Sequence, residues 1–297
     1  SKGRMFKMKK TKRVSTGDII IVIICILLIL VCLIPMLNVL ARSLSSPEYI
    51  IRNEVTLFPK GFTFESYSNV LNDIKTTRSL VWTAFITVIG TVLSMIMTTI
   101  CAYPLTYDHL KGKKFFNGLI IFTMYFSAGT IPMYLLLKDL SLINKPAVLV
   151  VPYCLSVFNM IIMRSFLYGI PESLRESAEI DGAGPIRTLI SIYLPLSTSV
   201  IATLSLFYAV GRWNGYSDAL MFMNNKREYW PIQLLLYNIL NNANAVEVAT
   251  QEGFTMPGLS ETVKSATVMF ATIPILCVYP WLQKYFITGV TIGAVKG

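Results

Sequence analysis

Glu176, Ser177 and Ala178 are followed after three residues by Gly182 and, nine residues beyond it, by Ile192, Leu194 and Pro195. The surrounding stretch, Ile170-Pro171-Glu172-Ser173-Leu174-Arg175-Glu176-Ser177-Ala178-Glu179-Ile180-Asp181-Gly182-Ala183, is a compact charged segment between two long apolar runs. Its carboxylates and single guanidinium suit charge-assisted docking on another protein rather than bond making. Pro171 can open a helix, Ser173 with Glu176 has capping-box spacing, and Gly182 is placed to end it. The spacing predicts a helix of about three turns within 172–184. Leu174, Ala178 and Asp181 fall along one side, with Arg175, Glu176 and Glu179 on others, so apolar and charged surfaces are both presented. Such a helix suits a groove on a soluble partner. A helix lying on the membrane surface would favour Lys and Arg on its polar face, and this one is rich in acid.

Groups for bond-making chemistry are sparse. His109 is the one histidine, and Cys25, Cys32, Cys101, Cys154 and Cys277 fall in apolar stretches with no CxxC and no neighbouring histidine. They read as thiols packed like small apolar side chains, and neither a metal site nor a hydrolytic apparatus is visible.

The elements that must hold the charged segment are membrane helices. Hydrophobic residues make up 54% of the chain, charged residues 14%, and mean hydropathy is +0.59; soluble domains carry about a quarter charged residues. Spans are expected at 19–41, 80–107, 115–137, 146–163, 189–211 and 266–282, each long enough for a hydrocarbon core of roughly 30 Å. None contains Asp, Glu, Lys or Arg, which argues against a proton- or sodium-coupled carrier. Placing the N-terminus in the cytoplasm puts 15 basic and 6 acidic residues inside and 11 basic and 10 acidic outside. Both termini are therefore expected to be cytoplasmic. The positive charge serves orientation and attraction to anionic membrane lipid, not nucleic acid.

The organisation expected is a basic segment over 1–18, a first span over 19–41, an outer loop over 42–79, a core of five spans over 80–288, and a tail over 289–297. The run after the basic N-terminal segment is too long for a cleaved signal core. Within the core an outer loop covers 212–263, and its short apolar patch, Trp230 to Leu236, predicts an interfacial or re-entrant helix.

At Glu176-Ser177-Ala178, Gly182, Ile192, Leu194 and Pro195 the chain resembles the integral-membrane permease subunits of ATP-binding-cassette importers. Their signature is Glu-Ala-Ala, three residues, Gly, nine residues, then Ile-x-Leu-Pro; Ser177 is the one departure. Within that family it is most similar to the carbohydrate group, the second permease subunit of maltose-type importers. Ile170-Pro171-x-Ser173-Leu174-x-Glu176, Asp181-Gly182-Ala183, Trp213-Asn214 and the terminal Gly293-Ala294-Val295-Lys296-Gly297 carry this likeness, which covers roughly Leu80 to Gly297.

The resemblance implies an all-α fold of six transmembrane helices, the type I importer permease fold, in the bacterial cytoplasmic membrane. Glu172, Ser173, Leu174, Arg175, Glu176, Ser177, Ala178, Glu179, Asp181, Gly182 and Ala183 would form a coupling helix seated in a cytoplasmic ATPase, with Lys296 and Gly297 reaching toward the same interface. The chain has no Gly-x-x-x-x-Gly-Lys-[Ser/Thr] phosphate loop, so ATP and Mg belong on a partner ATPase dimer. A second homologous permease and an extracytoplasmic solute-binding protein complete the implied assembly.

A carbohydrate offers apolar faces and hydroxyl edges, which suits aromatic platforms beside amides and hydroxyls. Tyr125, Ser127, Asn159, Tyr208, Trp213, Asn214 and Tyr216 are the candidates for its path. Pro132, Pro152, Pro195 and Pro274 lie in or beside spans, where each removes a backbone donor and permits a bend. The alternatives are the same machinery carrying a peptide, amino acid or other polar solute, an ion-coupled carrier, and a membrane-embedded enzyme.

Overall fold

A computed structural model describes residues 16–249 and 257–294. The described residues form helices α1 (Thr16–Ser43), α2 (Pro47–Ile51), α3 (Glu65–Asn72), α4 (Ile74–Ala102), α5 (Lys113–Tyr125), α6 (Thr130–Asp139), α7 (Val157–Tyr168), α8 (Glu172–Ile180), α9 (Pro185–Thr188), α10 (Leu194–Leu196), α11 (Thr198–Asn214), α12 (Ser217–Phe222), α13 (Ile232–Ala249) and α14 (Pro257–Ala294). Short 3₁₀ turns and one π-helical turn, Leu189–Tyr193, join them. The basic N-terminal segment over 1–13, with Lys296 and Gly297, lies outside the described residues.

Among the described residues three stretches are long and apolar enough to be single spans, Gly17–Ser43, Ile74–Thr106 and Glu261–Val278, and three bent pairs raise the count to six where each pair is one span. The run expected as one span over 115–137 is α5 and α6, bent by 113°. Phe126 is extended and Gly129 sits at φ +89°, a conformation open to glycine, so the helical ladder cannot continue. The fourth span bends by 47° after Val151–Tyr153 and the fifth by 84° after Leu196. Pro152 and Pro195 lie just before these breaks, where their missing N–H groups weaken the ladder. Pro274 lies inside α14.

Contacts divide the chain into Ser1–Ser66 with Thr255–Ala266, and Tyr67–Phe254 with Thr267–Gly297. In the first, Ala41, Ile50 and Val55 form a small core with Tyr49, and Arg42 lies 3.7 Å from Glu261. The side chains of α1 from Ile19 to Ile34 are exposed on every face, the pattern of a helix solvated by lipid.

The second unit is organised on α4. Asp73 caps it, accepting from the Lys75 and Thr76 amides. Thr83, Thr87, Gly90, Ser94 and Thr98 recur at three- and four-residue steps and are buried. This stripe of small residues lets α11 and α7 approach closely. Met95, Ala102, Tyr103, Met160, Met163, Leu167, Tyr193, Leu204 and Tyr208 fill the core beside it. The patch expected as an interfacial or re-entrant helix forms the start of α13. Ile232 and Leu234 are buried there and the Ile232 amide donates to Thr83 Oγ1 at 2.8 Å, so it packs on α4. In the loop after α4, the Lys113 ammonium 2.8 Å from Asp108 holds that carboxyl below its usual range.

Candidate functional site

The charged segment folds as expected into a discrete helix. Pro171 occupies the position before α8, and Asp181 closes it. Gly182 follows at φ +79°; its amide donates to the Glu179 carbonyl at 3.0 Å, and the Ala183 amide to the Ala178 carbonyl at 2.8 Å. These two bonds make a Schellman closure. The capping box does not form: helix starts at Glu172, so Ser173 is already inside it, and its carbonyl accepts from Ser177 Oγ at 2.8 Å. No atom lies within 4 Å of a Cβ built on Gly182, so Gly182→Ala should cost only the left-handed conformation, about 1–2 kcal/mol. Hydrogen exchange of the α8 amides should accelerate by roughly five- to thirtyfold, while the amides of α4 keep their rates.

Arg175 and Ala178 are the two buried residues of α8. Glu172, Ser173, Leu174, Glu176, Ser177, Glu179, Asp181 and Gly182 are exposed, and Ala183 is half-buried. Arg175 therefore departs from the expectation that it shares the outward charged surface. Its guanidinium lies 4.4 Å from the centroid of the Tyr107 ring, pairs with Glu172 and sits 3.8 Å from Glu179. The helix turns one cation inward and leaves its acids outward.

A second candidate site lies among α4, α7, α11 and the broken fourth span. A cavity of about 330 Å³ is lined by Tyr153, Ser156, Asn159, Tyr208, Arg212 and Asp218, with Ile86, Leu149 and Phe207 among its apolar walls. Tyr208 Oη shares a 2.7 Å hydrogen bond with Thr98 Oγ1 and accepts from the Ser156 amide at 3.0 Å. The Tyr153 hydroxyl donates to Asp218 at 2.8 Å. Arg212 Nη1 donates to the Leu149 carbonyl at 3.0 Å, and Nη2 to Ser94 Oγ at 2.9 Å and the Tyr153 carbonyl at 3.0 Å. Those carbonyls end the two 3₁₀ turns, Pro146–Leu149 and Val151–Tyr153, where no following helix supplies donors. Gly90 makes the room: a Cβ there would stand 2.5 Å from Arg212 Nε.

Of the seven residues proposed for a solute path, Asn159 and Tyr208 line this cavity. Trp213 is buried and its indole donates to the Ala271 carbonyl at 3.0 Å, a packing contact with α14. Tyr216 stacks on Tyr237 at 4.9 Å, Asn214 is exposed, and Tyr125 and Ser127 are exposed at the α5–α6 bend. None of these five lines the cavity.

Sequence reasoning missed Arg212, Asp218 and Tyr153. The outer loop expected over 212–263 places Arg212 beyond the fifth span. The helix in fact runs on to Asn214. The available signal was the four-residue step from Tyr208 to Arg212, which places both on one face.

A family model described as "Binding-protein-dependent transport system inner membrane component" matches residues 19–292. The chain is 39% identical over 267 residues to the polygalacturonan/rhamnogalacturonan transport system permease protein YtcP of Bacillus subtilis, covering 90% of this chain and 93% of that one. It is 40% identical over 267 residues to Protein LplC of the same organism, covering 89% and 90%. Among solved structures, a chain of a bacterial ABC transporter involved in import of the acidic polysaccharide alginate superposes with a TM-score of 0.82 at 33% identity, over 93% of this chain and 100% of that one. The all-α architecture is thus the type I importer permease fold. The chain belongs to the family of binding-protein-dependent transport system inner membrane components.

Proposed function

We propose that this chain is the carbohydrate-translocating permease subunit of an ATP-driven importer, acting on an oligosaccharide. The observation that carries this is α8: a capped, outward-facing acidic helix with the Glu-x-Ala…Gly spacing, borne by a chain built of membrane-length apolar helices. The cargo class is supported by the names of its relatives, which include polygalacturonan/rhamnogalacturonan and arabinooligosaccharide permeases. The cavity beside Asn159, Tyr208 and Arg212 supports it chemically, since it joins an amide, a phenol and a cation to apolar walls. It is the segment of path that this subunit contributes.

In this reading a second homologous permease completes the path, and an extracytoplasmic binding protein delivers the solute. A dimer of cytoplasmic ATPases holds ATP and Mg. Both termini face the cytoplasm, on the side of α8, and Lys296 and Gly297 approach the ATPase. ATP drives transport by favouring one arrangement of the permease pair over the other, and α8 passes that difference on. The test is uptake into proteoliposomes containing this chain, the second permease and the ATPase, with oligosaccharide supplied on its binding protein. Uptake should require ATP; uptake that persists without ATP and follows an ion gradient would overturn the reading.

A further inference from the structure

The attachment of α8 to the rest of the protein is narrow. Of its nine residues, Arg175 and Ala178 are buried. Ala178 is small and offers packing without direction. Arg175 reaches inward, and its guanidinium is held from both sides along its own helix by Glu172 and Glu179. Two carboxylates at i−3 and i+4 restrain a side chain that otherwise has many rotamers.

The face of Tyr107 receives this cation at 4.4 Å, within cation–π range. Tyr107 follows directly on the 3₁₀ turn Pro104–Thr106 that ends α4. Its hydroxyl shares a 2.7 Å hydrogen bond with that of Tyr103, and the two rings meet edge-to-face at 5.4 Å. Tyr103 in turn packs edge-to-face on Tyr193 at 5.1 Å. Tyr103 and Tyr193 are buried, and Tyr107 is half-buried. Tyr193 belongs to the π-helical turn Leu189–Tyr193, just before the 84° bend into α11. Arg175 therefore touches a contiguous line of rings that runs from the C-terminal end of α4 to the π-helical turn leading through α10 into α11, and α4 and α11 carry Ser94, Thr98, Tyr208 and Arg212 at the cavity.

We infer that Arg175 is a positioning residue for transport: through Tyr107, Tyr103 and Tyr193 it carries displacement of α8 into the ends of α4 and α11. This rests on the reading of α8 as the ATPase-docking helix, and assigns Arg175 to the opposite face from the docking surface. Rings in edge-to-face contact, two of them also tied by a hydroxyl–hydroxyl hydrogen bond, pass a shift on because one cannot move far without displacing the next. The π-helical turn and the bend after it are where backbone can rearrange without unfolding a regular helix.

The experiment uses the full importer in proteoliposomes with Arg175→Leu, Arg175→Lys, Tyr107→Leu, Tyr107→Phe and the Arg175→Leu/Tyr107→Leu double variant. ATPase retained per permease, ATP hydrolysed and solute imported are measured on each. Arg175→Leu and Tyr107→Leu should retain the ATPase and hydrolyse ATP while importing less, raising ATP consumed per solute by roughly two- to thirtyfold. The double variant should be no worse than either single one, because both break the same link. Tyr107→Phe keeps the ring face and should restore coupling to within about twofold, with Arg175→Lys, which keeps the cation but loses the fork, between the extremes. Hydrolysis and import that fall together in all variants, additive effects, or unchanged coupling would overturn the inference. Loss of the ATPase from Arg175→Leu and Arg175→Lys alone would also overturn it, placing Arg175 at the docking surface. An unaltered chain that binds no ATPase would instead overturn the reading of α8.

Discussion

Replacing Arg212 with methionine is expected to cripple the protein, lowering the apparent melting temperature of the detergent-solubilised importer by roughly 10 °C or more and abolishing import. The side chain serves three acceptors, the Leu149 and Tyr153 carbonyls and Ser94 Oγ. Ser94 and Leu149 are buried between packed helices, where water is poorly placed to take over these bonds. A buried acceptor left unmade costs about 1–3 kcal/mol, so the loss over the three is on the order of 3–9 kcal/mol. Arg212→Lys should recover part of this at most, since an ammonium on a simple stem lacks the planar fork that spans both 3₁₀ turns and α4. Wild-type melting and import in Arg212→Met would sink the assignment.

Gly90 gives an independent check on the same feature. Gly90→Ala puts a methyl where Arg212 Nε and Cδ lie 2.5 and 2.6 Å from the Cβ position, so it should displace the guanidinium and reproduce much of the Arg212→Met defect. With Arg212→Met already present, the added cost should shrink, because the flexible thioether can give way. Additive costs would mean that Gly90 matters for the α4–α11 approach alone.

The parts of the fold legible in the sequence are those set by local chemistry. Helix α8 was readable at both ends, since Pro171 cannot continue a preceding ladder and Gly182 alone there tolerates φ +79° without cost. The six apolar runs were readable from length and lack of charge. What escaped depended on neighbours distant in the chain. Arg175 shares helical spacing with exposed acids, and only the placement of Tyr107 turns it inward. Arg212 ends an apolar run, where a positive charge normally signals an interface, and the space beside Gly90 is what lets it fold back. Aromatic and amide types alone could not separate Tyr208, which lines the cavity, from Trp213, whose indole is spent on the Ala271 carbonyl. The bends of 47° and 84° were foreshadowed by Pro152 and Pro195, whereas the 113° bend turns on Gly129, which the sequence reading did not single out; all three angles follow from packing.

Glu176→Lys should separate assembly from folding. Glu176 is exposed on α8, whereas Glu172 and Glu179 are engaged with Arg175. An exposed substitution of this kind usually shifts stability by less than about 0.5 kcal/mol, so the subunit should insert and melt normally. At a protein interface the same change reverses a charge facing the partner. Disrupting a desolvated charge contact costs roughly 2–5 kcal/mol, which predicts ATPase binding weakened by about 30-fold or more. Import should fall with it, and the defect should ease as ATPase concentration is raised, which a defect inside the permease would not do. The contrast with Arg175→Leu is the decisive one: Glu176→Lys should lose the ATPase while leaving coupling intact in the complexes that still form, and Arg175→Leu should keep the ATPase and lose coupling. Were Glu176→Lys to bind the ATPase and import as the wild type does, the outward acidic face of α8 could not be the docking surface.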